Sequence, residues 1–125
     1  MSNNQLDSTS EPEFELDFVY ANNSLCEPSV WDLKVIFGQL EQHTGQTRID
    51  WHTAVTMPWA QAKLLSYYIR LNIAQHEIQF GGLKSPPSIT PARPSPPAGK
   101  LKGNPDELQF YEMAKAIHEE MFAEE

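Results

Sequence analysis

Between Phe14 and Gly82 the spacing of apolar positions changes once, and the change falls at a proline. Before it, three runs alternate with period two. In ELDFVYANN, Phe14, Leu16, Phe18 and Tyr20 alternate with acidic residues and Val19 until Asn22-Asn23-Ser24. In SVWDLKVIFGQL, Trp31, Leu33, Val35 and Phe37 fall on one side, Asp32 and Lys34 on the other. In TRIDWHTAVTM, Ile49, Trp51, Thr53, Val55 and Met57 share a side opposite Arg48, Asp50, His52 and Thr56. This is the signature of half-buried strands. The links, through Cys26-Glu27-Pro28-Ser29 and through EQHTGQ, are short. Short links predict an antiparallel meander with one apolar face.

Pro58 lacks an N–H and has a fixed φ, which suits the first turn of a helix. From Trp59 the apolar positions become Ala62, Leu65, Ile69, Ile73, His76 and Phe80, with Leu64, Tyr68 and Leu71 in a neighbouring row. Gly81-Gly82 ends the pattern as glycine ends helices. The predicted helix, Trp59 to Phe80, is about 33 Å long at 1.5 Å per residue. That exceeds the roughly 17–20 Å of an ordinary strand. A small three-stranded sheet, with Val35 and Val55 against Leu65 and Ile69, leaves part of its apolar surface uncovered. The expectation is a second copy of the chain, in a dimer or tetramer, on Leu64, Tyr68 and Leu71.

Six of the twelve residues from Pro86 to Pro97 are proline, which predicts a semi-rigid polyproline-like spacer. The last segment, NPDELQFYEMAKAIHEEMFAEE, has a helix start signal. Asn104 is the N-cap, Pro105 the first helical residue, and Asp106 and Glu107 suit the positive end of the dipole. Phe110, Met113, Ala114, Ile117 and Met121 form an apolar stripe. Behind a long spacer, Phe110, Met113, Ile117 and Met121 are expected to bind a protein partner. The fold class expected is therefore α+β. It comprises a disordered acidic N-terminus (1–13), a β-β-β-α domain (14–83), a basic proline-rich linker (84–103) and an acidic amphipathic helix (104–125).

Composition narrows the partners. The 125 residues carry a formal net charge of -8, which disfavours nucleic acid and acidic membrane surfaces. The acidity lies in the ends: five acids and no base up to Asp17, and seven acids with one lysine from Asn104 onward. The segment from Lys84 to Gly103 carries four bases and no acid. The single cysteine, Cys26, is expected to be a small buried or half-buried residue. With no signal peptide and no apolar run long enough to span a bilayer, the sequence predicts a cytoplasmic protein.

Several short elements resemble the bacterial domain-of-unknown-function family numbered 3467. They are Tyr20-Ala-Asn22 in the first strand, Phe37-Gly38 closing the second, Val55-Thr-Met-Pro58, Ala62-Lys63-x-Leu65 and Phe80-Gly81. They span about Phe18 to Gly82, roughly half the chain. Family members typically have Ser-Pro or Pro-Pro at the helix start and a His before the Ala-Lys. Here Pro58-Trp59 and Gln61 stand there. The family has no established activity, so the resemblance implies no catalytic residue. The order of antiparallel strands followed by one long helix is also similar to SecB-like chaperones.

Chemical signatures are sparse. Asp50 and His52 lie two apart on one strand, with His43 in the preceding loop, but no third ligand stands at a recognisable spacing. His76 is expected to be a packed or edge histidine, and His118 surface charge. Phosphate-binding glycine loops and nucleophile elbows are absent. The sequence therefore predicts no catalytic residue, metal or cofactor. It favours a non-enzymatic oligomeric binding module, an adaptor or chaperone-like. The alternatives are a small enzyme or ligand-binding domain with a site between sheet and helix, around Asp50, His52 and Tyr68, and an antitoxin-like or regulatory partner using the tail helix.

Overall fold

The structure is a computed structural model that describes residues 15–43, 45–85 and 90–122, with the backbone alone at Gln42, His43 and Gln46. The expected disordered N-terminus, 1–13, and Phe14 lie outside the described residues. The elements run β1 (Asn23–Pro28), β2 (Asp32–His43), β3 (Gln46–Pro58), α1 (Trp59–Phe80), a short 3-10 turn (Gly99–Leu101) and α2 (Pro105–Phe122). The strands form one antiparallel sheet in the order β1-β2-β3. The α+β class and the β-β-β-α order are as expected. Two compact units divide the chain, one through Ile69 and one from Arg70, so the boundary falls inside α1.

In the first unit, the first strand is not where the alternation put it. Residues 15–22 form no strand, and Phe18 is 91% exposed. The strand is instead Asn23–Pro28, the stretch expected to be a link. The cause is the turn that follows. The Ser29 N–H donates to the Asp32 carbonyl at 2.8 Å, and Ser29 Oγ accepts from the backbone N–H of Trp31 and Asp32 at 3.1 and 3.0 Å. A serine that closes a tight turn in this way makes the residues just before it the partner of β2, with Pro28 opposite Leu33 and Asn23 opposite Gly38. Trp31, expected on the apolar face of β2, sits in this turn and is exposed. Cys26 is exposed too, on the outer strand β1, rather than buried.

The β2–β3 hairpin is tighter than expected. His43 is a strand residue paired with Gln46, not part of a loop, and two residues connect the strands. One is Gly45, in the left-handed region at φ 81°. Phe37-Gly38 stands in the middle of β2 rather than at its end. Pro58 closes β3 opposite Asp32, and α1 starts on the next residue. The Trp59 indole N–H donates to the Ser29 carbonyl at 2.9 Å, tying the helix start to the first turn.

The single apolar face of β3 is broken in two. Phe37 pairs with Thr53 but Gly38 pairs with Trp51, so His52 is an extra residue in a β-bulge. One inserted residue inverts the alternation. Met57, Val55 and Thr53 therefore share a face with Leu33, Val35 and Phe37. Trp51 and Ile49 lie on the other face with Gly38 and Leu40. Leu25, Ile36 and Ala54 join that second face, so both faces carry apolar side chains. Met57, at 8% exposure, is the buried hydrophobic side chain among the described residues. Leu65 and Ile69, expected against Val35 and Val55, are exposed.

The second unit holds the end of α1, the proline-rich segment and α2. Gly81, at φ 98°, ends α1 as expected, its N–H donating to the Glu77 carbonyl at 2.8 Å. Asn104 caps α2 as predicted. Its Oδ1 accepts from the N–H of Asp106 and Glu107 at 3.0 and 3.2 Å, satisfying donors the helix leaves free.

Candidate interaction surfaces

On α1, Leu64, Leu65, Tyr67, Tyr68, Ile69, Leu71 and Ile78 are all exposed, and none of the helix's residues is buried. At 100° per residue these side chains span an arc of about 200°, with Lys63, Ser66, Arg70 and Glu77 on the opposite side. That arc is wider than the roughly 100° apolar stripe of an ordinary surface helix. The predicted interface residues Leu64, Tyr68 and Leu71 lie on one face of this helix, spaced i, i+4, i+7.

On α2 the face turned to the rest of the unit shares only Ala114 with the predicted stripe. The half-buried residues are Glu107, Tyr111, Ala114, His118 and Phe122. His118, expected to be surface charge, donates from Nε2 to the Pro91 carbonyl at 2.8 Å, and its ring tilts against Phe122. Arg93 and Pro94 border a concavity with Tyr111, Lys115 and His118. The proline-rich segment thus lies against α2 there. A larger concavity of about 310 Å³ lies between the α1 residues Arg70, Ile73 and Glu77 and the α2 residues Glu120, Met121 and Phe122. Arg70 bonds Glu120 across it. That carboxylate, by its hydrogen bond first and its charge second, holds the Arg70 guanidinium above its ordinary value. Both groups are exposed, so solvent screens the pair. The predicted stripe, Phe110, Met113, Ile117 and Met121, remains 49–64% exposed.

Of the residues of the alternative catalytic reading, His52 makes two hydrogen bonds. His52 Nε2 lies 2.9 Å from the Tyr20 carbonyl and Nδ1 lies 2.7 Å from Thr53 Oγ1. A carbonyl only accepts, so Nε2 carries the proton, and in the neutral ring Nδ1 accepts from the Thr53 hydroxyl. The bulged histidine is a latch that holds residues before β1 to β3. Asp50 is exposed, and neither concavity includes Asp50, His52 or Tyr68. Among the described residues no group of three or more His, Cys, Asp or Glu is placed to hold a metal. His76 is exposed, its ring 4.8 Å from that of Phe80, an edge position of the kind expected. Replacing His52 by alanine is expected to speed amide exchange severalfold in residues 15–22, the loss of roughly one hydrogen bond. Unchanged exchange there would show that the latch carries no weight.

Among the described residues the fold defines an α+β protein whose exposed features are apolar helical faces and two free strand edges, the longer on β3. No family model, curated protein or solved structure matches the chain. No described helix is long and apolar enough to cross a membrane.

Proposed function

We propose that this chain is a non-enzymatic, oligomeric protein-binding module of the cytoplasm, an adaptor or chaperone-like. It forms a homodimer or homotetramer with Leu64, Tyr68 and Leu71 of α1 in the interface. Its α2 stripe, Phe110, Met113, Ile117 and Met121, takes a protein partner. The observation that carries this reading is α1: a 22-residue helix with a broad arc of exposed apolar side chains and no buried residue. The half-buried face of α2 supports the second part, because it uses other residues and leaves the stripe exposed. A relationship to the bacterial family numbered 3467, and a topological one to SecB-like chaperones, is proposed on the residues quoted above alone.

Sedimentation tests the association. The native chain at tens of micromolar is expected to run as a dimer or tetramer, and the Leu64→Glu, Leu71→Glu double variant to shift toward smaller species. Burying two carboxylates in an apolar interface costs several kcal/mol. A native chain that is strictly monomeric at these concentrations would sink the reading.

A further inference from the structure

The sheet has one long unpaired edge. β3 has 13 residues, and among the described residues nothing pairs with its outer side. Two hydrogen bonds reveal which residues turn their backbone groups outward. The Gly38 carbonyl accepts from the Asn22 N–H at 3.0 Å, and the Leu40 N–H donates to Asn22 Oδ1 at 2.8 Å. Gly38 and Leu40 therefore turn their N–H and C=O toward β1, away from β3. Their partners on β3, Trp51 and Ile49, are the non-hydrogen-bonded members of the ladder, so their own N–H and C=O point to the free edge. By the same alternation Thr47 points there too. The bulge at His52 ends this run.

We infer that the outer edge of β3 pairs with the same edge of a second copy, antiparallel about a two-fold axis at Ile49. In this register Ile49 exchanges both backbone bonds with the copy's Ile49, and Thr47 does so with the copy's Trp51. An odd residue must face an odd residue here, and the register meets that condition. Arg48 then falls opposite the copy's Asp50, and Asp50 opposite the copy's Arg48. These are non-hydrogen-bonded pairs, where side chains approach most closely. Both residues are exposed, and neither has an ion pair within the described chain. A strand with opposite charges at i and i+2 is self-complementary about the residue between them. Pairing also joins the Leu40, Ile49 and Trp51 patches of the two copies into one across the axis. The pairing names a surface for the proposed self-association and rests on that reading.

Charge reversal in the full chain, read by sedimentation equilibrium, tests it. Arg48→Asp sets Asp against Asp on both sides of the axis, and Asp50→Arg sets Arg against Arg. Each variant alone is expected to weaken association about tenfold or more. Mixing the two variants places every Asp against an Arg, so the mixture is expected to recover the native strength as a heterodimer. The double variant is expected to recover it alone. The pairing is overturned if either single variant associates like the native chain while the native chain is oligomeric. It is equally overturned if both weaken but the mixture fails to recover, a result that also covers misfolded variants. The first outcome leaves the α1 interface standing, whereas a monomeric native chain removes both readings.

Discussion

Gly38→Ala is expected to destabilise the sheet by about 1–3 kcal/mol, the usual cost of overpacking a filled site. The added Cβ would stand 2.7 Å from Cε3 of Trp51, 2.8 Å from the Asp50 carbonyl oxygen and 3.0 Å from Cγ2 of Ile49. All three lie well inside contact distance, and one is backbone. Gly38 does not have the positive φ that would make it special on conformational grounds. What it supplies is room. The Trp51 ring crosses β2 at this point because the bulge at His52 has brought Trp51 onto the face that Gly38 leaves empty. A larger residue, as in Gly38→Val, is expected to cost more. Trp51→Ala in the Gly38→Ala background should restore only part of the loss, since the Asp50 carbonyl stays in place. Chemical denaturation of the three variants measures this. A loss under about half a kcal/mol for Gly38→Ala would mean the register at the bulge is different.

How much of this was legible in the sequence depends on whether the signal was local. The bounds of α1 were legible because the switch at Pro58 and the stop at Gly81 are punctuation carried by single residues. The α2 cap was legible for the same reason: Asn104, Pro105 and the acids after them each have one mechanical role at a helix start. The first strand was misplaced because the alternation of Leu16, Phe18 and Tyr20 shows that a segment could be a strand, not that anything pairs with it. Pairing was decided by the Ser29 turn, which places Asn23–Pro28 beside β2. The bulge left a trace that alternation on β3 concealed. On β2 the apolar positions run Leu33, Val35, Phe37 and then Leu40, a change of parity at Gly38. A glycine at a parity change is the expected mark of a bulge or close approach. On α2 the apolar stripe was legible, but the face that packs within the unit was not. Tyr111 and His118 face the proline-rich segment, and that contact depends on how a nonlocal segment folds back. The candidate interfaces Leu64, Tyr68 and Leu71 are exposed on α1 as a helical periodicity requires, whereas the self-complementary edge of β3 depends on strand register, which residue type alone does not fix.

Folding is expected to be coupled to assembly, so that stability depends on protein concentration. Fixing the backbone costs roughly 1–2 kcal/mol per residue, and burial of apolar surface is the main term that offsets it. Here the buried hydrophobic among the described residues is Met57, while α1 and both faces of the sheet leave large apolar side chains exposed. The bulge at His52 sharpens the problem, because it divides the sheet's apolar positions between two faces that one helix cannot cover. A second copy brings the missing area, and its contribution then enters the unfolding equilibrium by mass action. For a dimer that unfolds as it dissociates, each tenfold rise in concentration adds about 1.4 kcal/mol to the unfolding free energy. Thermal unfolding followed by circular dichroism at about 1, 10 and 100 µM is expected to show the midpoint rising at each step, by a few degrees for a chain of this size. The Leu64→Glu, Leu71→Glu variant should be unfolded, or unfold at one low midpoint, over the same range. An oligomer with a concentration-independent midpoint would show instead that the monomer folds first and that its exposed apolar side chains are not needed for the fold.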